Sequence, residues 1–576
     1  MLEWHWREEK VSHSDYFRLT ELDEDELMDE AAGLAGLSFD GPAQGGTKQC
    51  PVHRYRFPVQ EAAVRKQDDV KMPGGLSFGK VEAIDTQACT VNITKRKDTA
   101  NTHPTALFAH TTVRTGELSS ALFRLGQWVA DTGVDTPGSF RAARDLLLAR
   151  GPRLRHAASA TAALQRDGES SVAAACRLAL ELDGGVLAIQ GPPGAGKTYT
   201  AARMIRTLVR AGKNVGITAV SHKVIRNLLE GIVEAANEDG APIRCLQKVK
   251  DKPSSDDEQP IRETTKNADV LKALQSQSGQ VAAGTAWLWA REDMCESIDV
   301  LFVDEAGQMS LANVLAVAQA ARNVVLLGDP QQLEQPLRAS HPDGTEVSAL
   351  HHLLEGKQTI PAKRGLFLDE TWRMHPVICQ LTSELFYEGR LHPRPDLAQQ
   401  AITTRSAFTG SGLWFVPVAH EGHQNASPEE VEAVAEIYAM LTSPGATWTD
   451  REGNTLPLTE QEILIVAPYN AQVGALGARL PNARIGTVDK FQGQEAPVVI
   501  YSMATSSPDE APRGMEFLFS QNRLNVATSR ARCACILVAS PKLFELDCRT
   551  PRQVQLANGF CRYLELAKDF SATPTS

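Results

Sequence analysis

The chain has 576 residues, 59 Lys and Arg against 70 Asp and Glu, a net charge of −11, and 42% hydrophobic and 22% charged residues. That length exceeds what one hydrophobic core organises, and the composition excludes a largely disordered chain. The acidic balance excludes a protein that coats nucleic acid through a uniformly basic surface, but it leaves room for a local basic groove.

The sequence has no run of 18 apolar residues, and the opening Met1-Leu-Glu-Trp-His-Trp-Arg7 lacks the apolar core of a signal peptide. No membrane partner and a cytoplasmic location are therefore expected. The ten cysteines lack paired metal-ligand spacings. Cys533-Ala-Cys535 and Cys50-Pro-Val-His53 each want a second ligand pair for a tetrahedral site, so reduced thiols and no structural metal are expected.

Along the chain, the acidic run Glu21–Glu30 is punctuated by apolar residues and reads as the solvated face of a helix. Residues 79–95 alternate polar and apolar side chains around a turn and predict a β-hairpin, part of a small β-barrel. Residues 116–150 and 156–182 carry helix-spaced apolar positions such as Leu118, Leu122, Leu125 and Trp128. A buried-strand run at 185–190 then leads into a glycine loop and a helix at 198–211. Further strand-like runs at 214–220, 298–303 and 323–328 make a first α/β core with a parallel sheet. Residues 237–267 turn polar and charged and are expected to be an exposed insertion. Beyond Pro361, runs at 412–418, 462–467, 497–502 and 534–539 make a second α/β series. With only one phosphate loop for two cores, the nucleotide is expected in the cleft between them.

The chemistry begins at Gly191-Pro192-Pro193-Gly194-Ala195-Gly196-Lys197-Thr198, followed by Tyr199. This fits GxxxxGK[ST], whose backbone N–H groups and helix N-terminus wrap phosphates. Lys197 would neutralise β- and γ-phosphate oxygens and Thr198 would bind Mg²⁺. Asp304 and Glu305 follow the apolar run Val300–Val303, at the carboxyl end of a core strand. Asp304 would share the Mg²⁺ and Glu305 would orient or deprotonate the attacking water. Gly328-Asp-Pro-Gln-Gln332 gives a third loop at the same sheet edge, where Gln332 could sense the γ-phosphate; read alone it is a simple turn.

GPPGAGKT, DEAGQ, GDPQQL, TWRMHP, TVDKFQGQE and RLNVATSRAR stand in the order of the superfamily 1 helicase motifs. From about Gly185 to Ala539 the chain resembles the up-frameshift-type helicases of superfamily 1B. It is similar too to the helicase portion of bacterial RecB-like nuclease–helicase fusion proteins, without a nuclease signature. The resemblance implies two RecA-like cores at 151–345 and 346–576, with an accessory β-barrel and helical stalk over 1–150. It implies that Arg373 and Arg530 reach the γ-phosphate as arginine fingers, a task suited to a planar, always-charged fork. It implies further that Trp372, where tyrosine is usual, stacks on the base, that Glu495 contacts the ribose, and that Gly493 lets that loop approach the phosphates.

Strand contacts are assigned to Ser221, His222 and Lys223 and, in the second core, to Tyr469 and Asn470; helix capping by Ser221 is the alternative reading. The family places a glutamine about twenty residues before the phosphate loop to read adenine. None stands there; Gln165 lies farther upstream, and Gln190 reads as structural. The expected function is ATP- and Mg²⁺-dependent translocation or unwinding, 5′-to-3′, on single-stranded DNA or RNA. A nuclease subunit is a candidate further partner, and DNA repair and phage defence are candidate settings. The alternatives are a nucleic-acid-binding ATPase switch, or the ATPase subunit of a nuclease complex.

Overall fold

The computed structural model describes residues 1–569 apart from 29, 31, 59, 61, 87, 111–113, 157–162, 239, 251–258, 277–278, 336 and 492. The chain divides into two compact units, residues 1–120 with 337–345, and residues 121–336 with 346–576.

The first unit begins with helices α1 (Trp4–Glu21) and α2 (Glu24–Met28), which carry the acidic run expected on a helix face. Its sheet has seven antiparallel strands, β1 (Gly33–Leu34), β2 (Ser38–Gly46), β3 (Pro51–Arg56), β4 (Asp69–Lys71), β5 (Ser77–Asp85), β6 (Thr90–Lys95) and β7 (Leu107–Ala109), in the order β1-β7-β4-β5-β6-β3-β2. The expected hairpin is β5–β6, with Lys80 opposite Thr94 and Asp85 opposite Thr90. Strand alternation buries Tyr55, Phe78, Val91 and Ile93 on one face. The helical stretch expected over 116–150 is two helices, α3 (Gly116–Thr132) and α4 (Arg141–Leu147). The chain turns between them, with Phe140 in the left-handed region at φ 59°.

The second unit holds two parallel sheets with helices between their strands. After α5 (Ser171–Glu181), the first sheet is built from β8 (Val186–Gln190), β9 (Val215–Thr218), β10 (Cys245–Lys248), β11 (Ile261–Thr264), β12 (Val281–Ala283), β13 (Ile298–Val303), β14 (Ala321–Gly328) and β15 (Gly365–Phe367). The order is β11-β10-β12-β9-β13-β14-β8-β15, every pair parallel. The continuous apolar runs of β8 and β13 are buried on both faces, as a parallel sheet covered by helices requires. Helices α6 (Lys197–Arg210), α7 (His222–Glu238) and α8 (Asn267–Ser276) belong to this core.

The segment expected as an exposed insertion at 237–267 is corrected here. It contributes β10 and β11 to the sheet, with Cys245, Gln247, Ile261 and Thr264 buried, while its 251–258 stretch lies outside the described residues. Its polarity has a use. Arg226 of α7 reaches Glu263 at 3.1 Å and the Gln247 carbonyl oxygen at 3.3 Å, so edge strands are tied down by polar side chains.

The second sheet comprises β16 (Gly412–Pro417), β17 (Ile463–Ala467), β18 (Arg484–Thr487), β19 (Ala496–Ser502), β20 (Ala531–Ala539) and β21 (Lys568–Asp569), in the order β18-β17-β19-β20-β16-β21 and parallel throughout. Its helices include α9 (Pro376–Phe386), α10 (Pro428–Leu441), α11 (Asn470–Arg479) and α12 (Gln521–Ser529).

In a parallel sheet every strand ends on the same edge. The loops after β8, β9, β13, β14 and β15 are thus gathered at the carboxyl edge of the first sheet. Two glycines let the loops after β13 and β14 touch backbone to backbone: a Cβ on Gly328 would lie 2.7 Å from the Gly307 nitrogen and 2.8 Å from the Ala306 nitrogen. Gly328→Ala should therefore force these loops apart and lower stability by about 1–3 kcal/mol. An unchanged thermal midpoint in that variant would refute the close approach.

Candidate functional site

The phosphate loop leaves β8 and enters α6 through two left-handed glycines, Gly194 at φ 71° and Gly196 at φ 76°. A Cβ on Gly191 would collide with the Lys197 side chain at 2.3 Å, and one on Gly194 with the Arg373 Cβ at 2.5 Å. Lys197 Nζ donates to the Gly191 carbonyl at 2.6 Å. Pro192, Pro193 and Ala195 are buried or half-buried within the loop, and Thr198 follows Lys197 in the first turn of α6. Tyr199 is exposed, with the Arg203 guanidinium 3.2 Å from its ring centre.

At the end of β13, Asp304 is buried and its Oδ1 accepts from the Glu305 N–H at 2.9 Å. Burial pushes the Asp304 carboxyl upward, the neighbouring Glu305 adds to this, and Lys197 opposes it. Glu305 is held in the left-handed region at φ 53°, a conformation that costs a non-glycine residue about 1 kcal/mol or more. After β14, Gln332 is buried; its Nε2 donates to Asp329 Oδ2 at 2.8 Å. Gln190 is structural, as expected: its amide bonds the Gln358 carbonyl and the Ile360 N–H.

Residues after β15 dock onto the phosphate loop. The Trp372 N–H donates to the Gly194 carbonyl at 2.9 Å and Thr371 Oγ1 to the Pro193 carbonyl at 3.0 Å. Trp372 keeps 45% of its surface exposed, with the Arg394 guanidinium 3.8 Å from the ring centre. A cavity of about 460 Å³ lies beside it, lined by Trp372, Ala195, Thr200, Ser170 and Gln165 among others. Gln165, farther upstream than the family's spacing, thus lines the cavity beside Trp372. Its Nε2 donates to the Glu169 carbonyl at 2.7 Å.

The second core presents its amino edge. Ala496 of β19 pairs with Ala531 of β20, which sets Glu495 beside Arg530 and Arg532. Glu495 forms ion pairs with both Arg373 and Arg532. Burial would raise this carboxyl, but the two arginines hold it below the usual value. Both carboxylate oxygens are engaged by guanidinium groups, Oε2 by Arg373 and Oε1 by Arg532. Gly493 takes φ 77°, the left-handed backbone that favours glycine; Gln492 lies outside the described residues.

Arg530 is 3% exposed. Burial, then the Arg373 charge, pulls it down to about 9, while Glu305 and Glu495 pull the other way; at neutral pH it stays charged. Its Nη1 donates to the Gln494 carbonyl at 3.3 Å, but Nε and Nη2 are buried with no hydrogen-bond partner among the described residues. Carboxylates of one core and guanidiniums of the other thus share one cleft.

The strand-contact candidates follow β9 in the first core and β17 in the second. Ser221 Oγ accepts from the Val224 N–H at 3.3 Å, which is the capping alternative; His222 begins α7 and Lys223 is exposed beyond β9. Tyr469 is corrected: it is buried and packs on Phe517 at 5.5 Å, which leaves exposed Asn470 at the start of α11. Among the described residues there is no cluster of three or more metal-ligating side chains, and no helix is long and apolar enough to cross a membrane.

Fold and cleft together define a P-loop protein with two parallel α/β sheets that fit tandem RecA-like cores. AAA-domain family models match residues 170–342 and 345–542. The chain is 23% identical over 409 residues to the DNA polymerase alpha-associated DNA helicase A of Schizosaccharomyces pombe, covering 61% of this chain and 60% of that one. It is 27% identical over 386 residues to the DNA replication ATP-dependent helicase/nuclease DNA2 of Bos taurus, covering 61% and 35%. To the regulator of nonsense transcripts 1 homolog of Drosophila melanogaster it is 25% identical over 406 residues, covering 62% and 33%. The crystal structure of an arterivirus helicase, 14% identical over 91% of this chain and 79% of that chain, superposes with a TM-score of only 0.38. The chain belongs to the superfamily 1 helicases, in the up-frameshift-like 1B branch, and spans between a third and three fifths of the length of these curated relatives.

The under-bonded guanidinium of Arg530 makes a stability prediction. Arg530→Met should raise the thermal midpoint, by about 1 kcal/mol or more in stability, because a buried cation is exchanged for an apolar chain of similar length. A lowered midpoint would mean that the charge is already compensated in the folded protein.

Proposed function

We propose that this chain is an ATP-driven motor that moves along single-stranded DNA or RNA and couples hydrolysis to strand separation. The observation that carries the reading is the jointly built cleft, in which buried Arg530 of the second core feels Glu305 of the first. Lys197 and the phosphate-loop amides bind the triphosphate, Glu305 orients or deprotonates the attacking water, and Gln332 senses the γ-phosphate. Arg373 and Arg530 stabilise charge that develops in the transition state. A buried carboxyl raised by its neighbour suits a divalent cation. Asp304 and Thr198 would hold Mg²⁺ with the nucleotide's own phosphates, and the ion supplies charge neutralisation there.

Trp372 stacks on the base. Gln165, its Nε2 anchored to Glu169, offers the adenine amino group a carbonyl acceptor. Lys223, Asn470 and their neighbours Ser221 and His222 contact the strand backbone, without reading sequence. The antiparallel sheet and α3 correspond to the accessory barrel and stalk over 1–150, ahead of cores at 151–345 and 346–576. The 5′-to-3′ polarity follows from the superfamily 1B resemblance. The helicase/nuclease among the relatives makes a nuclease the protein partner to look for.

The deciding experiment is ATP hydrolysis with and without single-stranded DNA or RNA, with Lys197→Ala as the blank. Strong stimulation by one polymer is expected; a rate unchanged by every polymer would overturn the motor. In the same assay Glu305→Gln should bind ATP and turn it over at least 10³-fold more slowly, and Arg530→Met should lose about 10³-fold in kcat with binding kept. Gln165→Ala should narrow the preference for ATP over GTP.

Asp304 also sets a pH dependence. Its folded-state value is raised, so in the free protein the protonated form adds stability at low pH, and that contribution is lost as pH rises through the raised value. A divalent cation competes with the proton. Mg²⁺-dependent nucleotide affinity should therefore tighten as pH rises from about 5 to 8, and Asp304→Asn should flatten that slope. Equal slopes in both proteins would remove Asp304 from the metal site.

A further inference from the structure

Asp329 stands at the end of β14, 2% exposed, and makes no ion pair among the described residues. Its charge is met by neutral donors alone. Oδ2 accepts from the Tyr387 hydroxyl at 2.6 Å and from Gln332 Nε2 at 2.8 Å, while Oδ1 accepts from the Gln331 N–H at 3.2 Å and Gln190 Nε2 at 3.5 Å. The Tyr387 hydroxyl in turn accepts from Asn525 Nδ2 at 3.0 Å.

Asn525 lies on α12, the helix whose end carries Arg530. Its amide also donates to the Gln331 carbonyl at 2.8 Å. One turn earlier on the same face, Asn522 Nδ2 donates to the Pro330 carbonyl at 3.2 Å and to the Gln332 carbonyl. The loop that bears Gln332 and the helix that bears Arg530 therefore meet at one fully buried tyrosine. Tyr387 directly follows α9, and α9 begins three residues after Arg373.

We propose that Tyr387 is a positioning residue that locks the Gln332 loop to the Arg530 helix through Asp329 and Asn525, so that sensing of the γ-phosphate and delivery of both arginines are one movement. The proposal deepens the motor reading and rests on it for its functional consequence. A buried carboxylate that loses a donor is left partly unsatisfied, so removing the Tyr387 hydroxyl weakens the junction at its centre, beside the direct bonds from Asn522 and Asn525. Burial and the Asp329 charge hold the phenol proton on well above the usual tyrosine range, so the hydroxyl remains a donor at every pH at which the protein works.

The test uses Tyr387→Phe, which keeps the ring and removes the hydroxyl, with Asn525→Ala and the double variant. In polymer-stimulated ATP hydrolysis, Tyr387→Phe should lower kcat at least 10-fold with KM for ATP within about 2-fold, an effect expressed in the transition state. The double variant should be little worse than the worse single one, because both break one junction. Additive losses, or a kcat loss that tracks weakened nucleotide binding, would overturn the proposal in favour of simple packing. The junction is also read without activity, by amide hydrogen exchange. In Tyr387→Phe, residues 329–333 and 521–529 should lose protection together, whereas loss confined to 383–391 would overturn it. A wild-type protein that hydrolyses no triphosphate would refute the motor while leaving the exchange result to decide the junction.

Discussion

The buried guanidinium of Arg530 is the constraint around which the rest of the cleft is arranged. Two of its nitrogens lack hydrogen-bond partners among the described residues, and a second arginine, Arg373, is near enough to depress it further. Its backbone is fixed at this edge, because Ala531 begins β20 in register with Ala496 of β19, and these strands run buried through the middle of the sheet. The opposite imbalance stands on the first core, where Asp304 is buried beside Glu305, and Glu305 is held in a strained backbone conformation. Each core thus holds unfavourable charge that a triphosphate with a divalent cation would answer, which is the form that electrostatic preorganisation takes before substrate arrives.

Parallel topology explains why the two cores offer unlike edges to one another. The first presents strand ends, where backbone N–H groups and short carboxylate loops collect. The second presents strand beginnings, where Glu495, Arg530 and Arg532 collect through the β19–β20 register. The segment 371–387 belongs to both arrangements. Its start is bonded to the phosphate loop through the Trp372 N–H, and its end is bonded to Asp329 and Asn525 through Tyr387. Any opening of the cleft must therefore be felt in this segment, whichever core is taken as fixed.

What could be read from residues alone follows the physics of local signals. The phosphate loop, Asp304–Glu305 and Gly328–Gln332 each follow an apolar run, so strand and loop announced themselves within about ten residues. The strands β10 and β11 did not, because they lie toward the sheet edge and spend alternate positions on polar side chains. The Glu495 bridge was invisible for another reason: Arg373 and Glu495 are 122 positions apart and meet only through sheet register. Tyr469, assigned as a strand contact, is buried because Phe517 of the short helix Gly514–Leu518, far along the chain, packs against its ring. Gln165 stands farther from the phosphate loop than the family's spacing, yet it lines the cavity beside Trp372, because chain between 165 and α5 takes up the extra distance.

Under the proposed reading, base recognition in this cleft would have two unequal parts. A tryptophan face stacks on any base, and here its exposed surface is backed by Arg394, which strengthens the platform without adding selectivity. Selectivity must come from an edge-reading group, and the cavity beside Trp372 offers Gln165, whose amide is not free to turn. With Nε2 bonded to the Glu169 carbonyl, the carbonyl oxygen is the group this amide has left to offer as an acceptor. An acceptor there would favour an exocyclic amino group over a carbonyl oxygen, so under the proposed reading the orientation of a single amide, held by one backbone oxygen, would separate adenine from guanine.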